Sequence, residues 1–350
     1  MTSWCRLAAS CAASAVMTSA ALAQRPMIVG RVTVVGSDVA LGYSSVALRP
    51  GAREQFTDAN GSFALHGLKA GRVRLTVKHI GHVPLDSSFD IGERDSLDLR
   101  IELSLVSIRL PAIHTLAPAC GHPGASSAVL GVELAMLLEQ LKQNAEQNRL
   151  LSRSYPFEAD IERKISMPEP ALEARFVAFD TVQRGSLREW RYAPGHMLGT
   201  REYEGGVFGG KWTTLNVPEL SDFADDVFLN NHCFDYAGTQ VVDGDTLLRV
   251  DFAPAPAIHE PDVGGAIYLD SKTYQIRIAD FALVNLTKRL RELIAGQSVH
   301  ATFKEVLPGV PLPNVVSSFV FPRDDGQPPG KEPATETQRT LAIRFVKVKP

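Results

Sequence analysis

The sequence lacks most signatures of a catalytic chain. None of its nine histidines opens a His-Glu-x-x-His pair, so it does not carry the common zinc-peptidase arrangement. It has no Gly-x-Ser-x-Gly elbow, no Gly-Lys-Ser/Thr phosphate loop and no Asp-x-Asp-x-Asp-Gly calcium ladder. We therefore expect a protein that is not an enzyme and that has no cofactor and no metal site.

An excess of basic residues is also missing. The chain has 36 Lys and Arg against 39 Asp and Glu, a formal net charge of −3. Nucleic acids and anionic membrane surfaces need a basic patch, so this balance argues against both as partners. A hydrophobic fraction of 45% with only 21% charged residues is typical of a globular chain and not of a disordered one.

The N-terminus has the composition of an export signal. Arg6 is the only charge among the first 24 residues, and an Ala-rich apolar run covers 7–22. Ala21-Leu22-Ala23 offers a small-x-small cleavage site, so we expect residues 1–23 to be a signal peptide. This predicts an exported protein, periplasmic or extracellular. No other run is apolar and long enough to cross a bilayer, and too little hydrophobic sequence precedes Cys11 for a lipoprotein site.

Cysteine is scarce once the signal is removed. Cys5 and Cys11 leave with it, so Cys120 and Cys233 are the only cysteines of the mature chain. In an oxidising compartment an even pair is most simply a disulfide. Two alternatives remain open, namely free thiols, or a zinc site formed with His122 and His232.

Residues 27–107 alternate between apolar and polar positions in short runs separated by turns. The run from Thr57 to Phe63 contains Asn60-Gly61, which suits a tight turn, and Asp58, whose side chain can cap it. We interpret this run as the turn of a β-hairpin. Regular turns without a helical period predict a two-sheet antiparallel sandwich. The predicted strands are 28–35, 43–48, 63–65, 73–77 and 97–103.

This region resembles the carboxypeptidase regulatory-like domain. The resemblance rests on Gly30 in the opening strand, the Asp58-x-x-Gly61-x-Phe63 turn, Gly67-Leu68 with Gly71, and Gly81. It implies a transthyretin-like sandwich of about seven strands. Two positions depart from the usual family pattern. Ala40-Leu41 stands where a proline is common, and His82 stands where an aromatic residue usually follows the glycine. The family module accompanies peptidases and is not their catalytic domain.

A linker and then a helix follow the sandwich. Prolines and glycines concentrate in 110–124, so we assign 108–127 to a linker. Apolar residues recur at helical spacing on one face, and polar residues occupy the rest, which predicts a helix over about 128–151. The apolar face comprises Leu130, Leu134, Leu137, Leu138, Leu141 and Ala145. The remaining surface holds Glu139, Gln143, Glu146 and Gln147.

The chain from 128 to 350 is β-rich after this helix. The clearest hairpin joins 265–270 to 273–283 through Ser271-Lys272, and 324–335 is polar and proline-rich, as in a solvent loop. A helix followed by a long antiparallel series predicts an α+β domain in which a curved sheet packs on the helix. The other predicted strands are 157–165, 171–183, 187–192, 300–306, 315–321 and 341–348. Asp243-Gly244 is expected to be a hairpin turn.

The C-terminal half carries two resemblances of its own. His232-Cys233-Phe234, Phe252-Ala253-Pro254, the Gly265-x-Ile267-x-Leu269-Asp270 run and Pro322 resemble a region of uncharacterised exported bacterial proteins. In those proteins a carboxypeptidase regulatory-like domain precedes a second β-rich domain. The same glycine-led run is similar to one hairpin of the LolA-type lipoprotein carriers, in which a half-open barrel covers helices.

These features lead to two functional expectations. The first is an exported, non-enzymatic binding or scaffolding protein of the cell envelope, whose partner is an unknown envelope protein, a glycan or a lipid-like molecule. The alternative is a carrier that holds an apolar ligand in its C-terminal sheet. Aromatic residues near two pairs of glycines are candidates for a ligand groove. These are Trp190, Tyr192, Tyr203, Phe208 and Trp212.

Overall fold

The fold is mostly β. The computed structural model describes residues 26–51, 53–107, 123, 132–155, 157–166, 176–184, 192–203, 210–323 and 333–345. In the N-terminal part the strands are β1 Met27–Val34, β2 Ser45–Arg49, β3 Arg53–Phe56, β4 Ser62–Leu65, β5 Gly71–Lys78, β6 Leu85–Ile91 and β7 Ser96–Leu103. After them come helix α1 Val132–Ser154 and strands β8 Phe157–Ser166, β9 Phe176–Arg184, β10 Leu198–Tyr203 and β11 Gly210–Leu215.

The remaining elements contain short helical turns among long strands. A 3₁₀ turn, Leu220–Ala224, precedes α2 Asp226–Asn230, and α3 Lys288–Arg291 lies between two strands. The strands are β12 His232–Val242, β13 Asp245–Pro254, β14 Asp262–Asp270, β15 Ile276–Val284, β16 Ile294–Leu307, β17 Val310–Pro322 and β18 Ala334–Phe345.

The first seven strands form two sheets, in the orders β4-β1-β7 and β3-β2-β5-β6. One hydrophobic cluster takes side chains from both, including Ile28 and Ile101 from one sheet and Val46 and Leu75 from the other. The expectation of purely antiparallel sheets was wrong, because β1 and β7 pair in parallel over their whole length. The transthyretin-like arrangement itself stays a prediction.

The run from Thr57 to Phe63 is not a hairpin turn, which corrects the sequence interpretation. It joins β3 to β4, and these strands belong to different sheets. The predicted cap is present, since an Asp58 carboxylate oxygen accepts hydrogen bonds from the amides of Asn60 and Ser62, both at 2.8 Å. Gly61 alone supplies the positive φ, +75°. The segment is therefore a capped crossover between sheets.

A nine-stranded antiparallel sheet dominates the rest of the described chain. Its order is β12-β13-β14-β15-β16-β17-β18-β8-β9. The predicted turn at Asp243-Gly244 is present, and both residues have positive φ, 50° and 88°. A separate two-stranded sheet pairs β10 with β11. The predicted polar loop was partly wrong, because Ala334 and Thr335 begin β18, whereas 324–332 lie outside the described residues.

Helix α1 buries the predicted apolar face. Leu137, Leu138 and Leu141 are at most 1% exposed and belong to the main hydrophobic cluster, while Leu130 lies outside the described residues. Two of the polar residues assigned to the other surface are buried as well, Gln143 at 1% and Gln147 at 2% exposure. The helix is thus enclosed on two faces, which its pattern alone did not indicate.

The second enclosing surface is the N-terminal pair of sheets. The turn between β5 and β6 packs on α1, where the Gly81 amide donates to Oε1 of Gln140 at 2.7 Å. Next to this hydrogen bond, Nζ of Lys78 forms a salt bridge with the carboxylate of Glu146 at 2.7 Å. This contact between the β5–β6 turn and α1 is called the seam below.

The predicted domain boundaries at 27–107, 108–127 and 128–350 stay predictions. Within the described part no helix is long and apolar enough to span a membrane.

Candidate functional site

An apolar cavity of about 230 Å³ lies under the nine-stranded sheet. Five strands, β8 and β15 to β18, contribute to it, together with the segment that leads into the 3₁₀ turn. Among the described residues 18 line it, and of these Asn148, Glu219 and Thr340 are polar. The apolar lining is Phe157, Ala159, Ile161, Val217, Pro218, Leu220, Phe223, Ala279, Phe281, Ala301, Phe303, Leu312, Pro313, Val316 and Ile343.

The cavity exists because small residues occupy the middle of the sheet. Ala279 on β15 is paired directly with Ala301 on β16, and Ala301 in turn is paired with Val316 on β17. Alternate residues of a strand share a face, so Phe281 lies beside Ala279 on the same side. The alanines leave a depression that the neighbouring phenylalanines enclose.

The segment from Val217 to Phe223 covers the depression. Phe223 is 1% exposed, and its ring stacks over that of Phe281 with centroids 6.3 Å apart. Glu219 starts the 3₁₀ turn, since its amide donates to a carboxylate oxygen of Asp222 at 2.7 Å. This reciprocal cap fixes where the covering segment leaves the sheet. The polar lining residue Asn148 belongs to α1, and Thr340 donates to the Pro313 carbonyl at 3.0 Å.

A buried polar network supports the sheet near the start of β12. Asp262 is fully buried and accepts from the Tyr192 hydroxyl at 3.0 Å and from the amides of Gly195 and Val263. His232 is also fully buried, and its Nε2 lies 3.7 Å from the same carboxylate. The ring of His232 stacks on Phe228 with centroids 4.0 Å apart.

The two ring nitrogens of His232 each face a backbone carbonyl. Nδ1 lies 2.9 Å from the Phe228 oxygen, and Nε2 lies 3.1 Å from the Val263 oxygen. Burial lowers the pKa of His232, while these carbonyls and Asp262 act in the opposite direction. Burial and the neighbouring carboxylate of Asp262 raise the pKa of Tyr192, so its hydroxyl stays a donor. Because the side chains of Asp262 and His232 are both fully buried, we assign the network a structural role.

Of the five aromatic residues predicted to line a groove, the structure describes the side chain of Tyr192 alone. Tyr192 lies in the core, 6% exposed. Trp190 and Phe208 lie outside the described residues. For Tyr203 and Trp212 only the backbone is described. In the β10–β11 pair Tyr203 lies opposite Gly210, and Trp212 lies opposite Arg201. The groove therefore stays a prediction.

The predicted cysteine pair is described at one end only. Cys233 lies on β12 and is disulfide-bonded. Cys120 lies outside the described residues, so the Cys120–Cys233 pairing stays a prediction. The alternative zinc set also stays a prediction, because Cys120 and His122 lie outside the described residues.

Sequence reasoning did not find the residues that form the cavity. Period-two alternation identifies the inward face of β8, where Phe157, Ala159 and Ile161 line the cavity. It does not reveal that Ala279 and Ala301 become neighbours, because strand register depends on contacts distant in sequence. The available signal was alanine at inward positions of adjacent strands.

Several solved structures are distantly similar to this chain. No family model matches the chain, and no curated protein matches it. A putative outer membrane lipoprotein-sorting protein domain from Vibrio parahaemolyticus is 10% identical, with a TM-score of 0.33, over 61% of this chain and 95% of that one. A DUF1329 family protein from Desulfovibrio piger has the same four values.

A LolA superfamily protein from Nitrosomonas europaea is also similar. It is 9% identical, with a TM-score of 0.29, over 61% of this chain and 94% of that one. Likenesses at these scores assign neither a fold nor a function to this chain. The resemblance to a carboxypeptidase regulatory-like domain has no support from a family model.

Proposed function

We propose that this chain is an exported envelope protein that holds an apolar, lipid-like ligand in the cavity under its nine-stranded sheet. The observation that carries the proposal is the lining, in which 15 of the 18 described residues are apolar. Binding sites for small apolar molecules are concave and mostly apolar, with a few polar groups that orient the ligand. Asn148, Glu219 and Thr340 are the polar groups in a position to do so.

The size of the cavity restricts what it holds. Its volume of about 230 Å³ exceeds the ~150 Å³ that admits benzene. It is below the ~300–1,000 Å³ of sites for drug-sized molecules. We therefore propose one acyl-chain segment and not a whole lipid. Each methylene removed from water contributes about 0.8 kcal/mol, so a segment of eight supplies about 6 kcal/mol before the cost of ordering.

A second concavity supports this role less well. It has a volume of about 430 Å³ and lies beside β3 and β4, where its lining includes Tyr43, Phe56 and Tyr155. Gln55, Thr57, Asp58 and Ser62 bring polar groups to the same cleft. An apolar ligand gains less there, because part of its surface would face polar atoms.

Native mass spectrometry of the purified mature chain, prepared without detergent, tests the proposal. We expect a one-to-one adduct whose extracted mass is that of an acyl lipid, and saturable binding of a dansyl-labelled fatty acid. Absence of both the adduct and the probe binding refutes the carrier function and favours the binding or scaffolding module. N-terminal sequencing of the secreted product tests the export step separately, with Gln24 expected as the first residue.

A further inference from the structure

Two histidines meet in the turn between β5 and β6. The His82 amide donates to the His79 carbonyl at 3.0 Å, which closes a four-residue turn. Gly81 occupies the third position with φ +82°, a conformation that favours glycine. The two imidazole rings lie edge to face, with centroids 5.1 Å apart. Local backbone geometry thus holds two imidazole side chains together.

Hydrogen bonds determine which nitrogen of His79 carries the proton. Nδ1 of His79 lies 3.1 Å from the Ser44 hydroxyl, and that hydroxyl donates to the Leu41 carbonyl at 2.8 Å. A carbonyl only accepts, so the Ser44 proton points to Leu41 and the Ser44 oxygen accepts from Nδ1 of His79. Nε2 of His79 is therefore left with a free lone pair.

The same reasoning applies to His82. Its Nδ1 lies 3.2 Å from the Ile80 carbonyl, so Nδ1 carries the proton and Nε2 is the acceptor. His82 is 6% exposed, and its Nε2 has no hydrogen-bond partner among the residues that the structure describes. Histidines that bind metals donate their other N–H to a carbonyl in this way.

An amide oxygen lies on the same side of Gly309 as Nε2 of His79. Gln147 on α1 is 2% exposed, and neither its oxygen nor its nitrogen has a partner in the described part of the chain. A Cβ atom built on Gly309 would lie 3.8 Å from Nε2 of His79 and 4.0 Å from Oε1 of Gln147. Unpaired buried polar atoms are uncommon in proteins and indicate a bound water or ion.

The charges around the seam favour a cation. Lys78 is the ammonium group there, and it lies 2.7 Å from Glu146 and 3.9 Å from Glu139. Glu305 adds a third carboxylate, which accepts from the Gly309 amide at 2.5 Å. Carboxylates beside a buried site lower the cost of burying a positive ion there.

We propose that the seam is a binding site for a divalent transition-metal cation of the zinc or copper class, held by Nε2 of His79, Nε2 of His82 and Oε1 of Gln147. Imidazole nitrogens suit these metals. Within the described residues no group of three or more His, Cys, Asp or Glu could hold a metal, and the third ligand of the proposed site is an amide oxygen. Because the seam joins the N-terminal sheets to α1, the ion would also stabilise that contact.

Titration of the tag-free mature protein with Zn²⁺ and, separately, with Cu²⁺ tests the site. We expect one ion per chain, and for Cu²⁺ an electron paramagnetic resonance spectrum with nitrogen hyperfine splitting. His79→Gln and His82→Gln should each weaken binding at least tenfold. The matched control is His259→Gln, since His259 is exposed on the connection between β13 and β14. A thermal unfolding scan with and without metal shows whether each variant folds and responds.

Several results would overturn the proposal. The wild-type protein could bind no stoichiometric metal. The folded His82→Gln variant could bind metal as tightly as the wild type. Binding could also be lost only in the His259→Gln control. A crystal structure with water molecules alone on Nε2 of His82 and Oε1 of Gln147, in the presence of excess metal, would also overturn it.

Discussion

Ala279 and Ala301 face each other across β15 and β16, in directly paired positions, and are 1% and 6% exposed. A pair of larger side chains there would fill the space that the apolar cavity now occupies. The cavity is thus a property of strand register and residue size together.

Filling the cavity is the first prediction. In Ala301→Leu the added methyl groups enter apolar space, so the fold should keep its stability or gain about 1 kcal/mol. Binding of the dansyl-labelled fatty acid should weaken at least tenfold. The control is Ala282→Leu, because Ala282 is exposed on the same strand as Ala279 and should leave binding unchanged. Equal loss in both variants would contradict a site under the sheet.

The second prediction concerns two neighbouring residues of α1. Asn144 donates to the Tyr274 carbonyl and accepts from the Ile276 amide, both at 3.0 Å. Asn144→Ala leaves those two buried backbone groups unpaired, so the free energy of unfolding should fall by about 2–4 kcal/mol. Urea denaturation monitored by circular dichroism measures this change.

Gln143 provides the comparison. It is 1% exposed, and its amide has no hydrogen-bond partner among the described residues. Gln143→Leu replaces an unpaired polar group by an apolar one and should leave the free energy of unfolding unchanged or raise it by about 1 kcal/mol. If Gln143→Leu destabilises as strongly as Asn144→Ala, the Gln143 amide has a partner such as a buried water.

The sequence predicts local features well and long-range ones poorly. The Asp58 cap was found, because it depends on residues two and four positions away. The hairpin was wrong, because the sheet that β4 joins depends on Ile28 and Leu65, which are distant in sequence. Likewise the leucine face of α1 was visible, whereas the burial of Gln147 depends on residues distant in sequence, such as Gly309, where a Cβ would lie 4.0 Å from its Oε1.

The candidate site was predictable only as a possibility. The alternating pattern identifies which residues of a strand share a face, but it does not show whether a facing surface fills the space between them. The cavity under β15 and β16 depends on how closely the segment with Phe223 approaches the sheet. That distance is set by packing of the whole chain.

The third prediction is a pH dependence of stability from His232. Burial lowers its pKa in the folded protein, whereas the unfolded chain has an ordinary histidine pKa of about 6.5. Below pH ~6.5 the unfolded state therefore binds more protons, so stability present at neutral pH should be lost as the pH falls through the folded-state pKa. His79 and His82 act in the same direction, with lowered pKa values.

A variant isolates the part due to His232. Charged or polar groups near it are Asp262 and Tyr192, and both remain in His232→Gln. Urea midpoints of wild type and His232→Gln, measured from pH 8 to pH 5 with a chelator present, should converge as the pH falls. Parallel curves would show that His232 does not change its protonation on unfolding in this range.

The last prediction separates backbone strain from steric clash at two glycines. Gly61 and Gly36 have nearly the same positive φ, +75° and +70°. A Cβ on Gly61 would lie within contact distance of the Val32 carbonyl oxygen, whereas one on Gly36 would meet nothing within 4 Å. Gly36→Ala should therefore cost only the left-handed backbone penalty, about 1–2 kcal/mol. Gly61→Ala adds a clash with the backbone of β1, which cannot move without breaking its pairs with β4 and β7, so it should cost about 3 kcal/mol or more. Thermal unfolding of both variants measures the difference, and equal losses would mean that the crossover between the sheets relaxes to accept the methyl group.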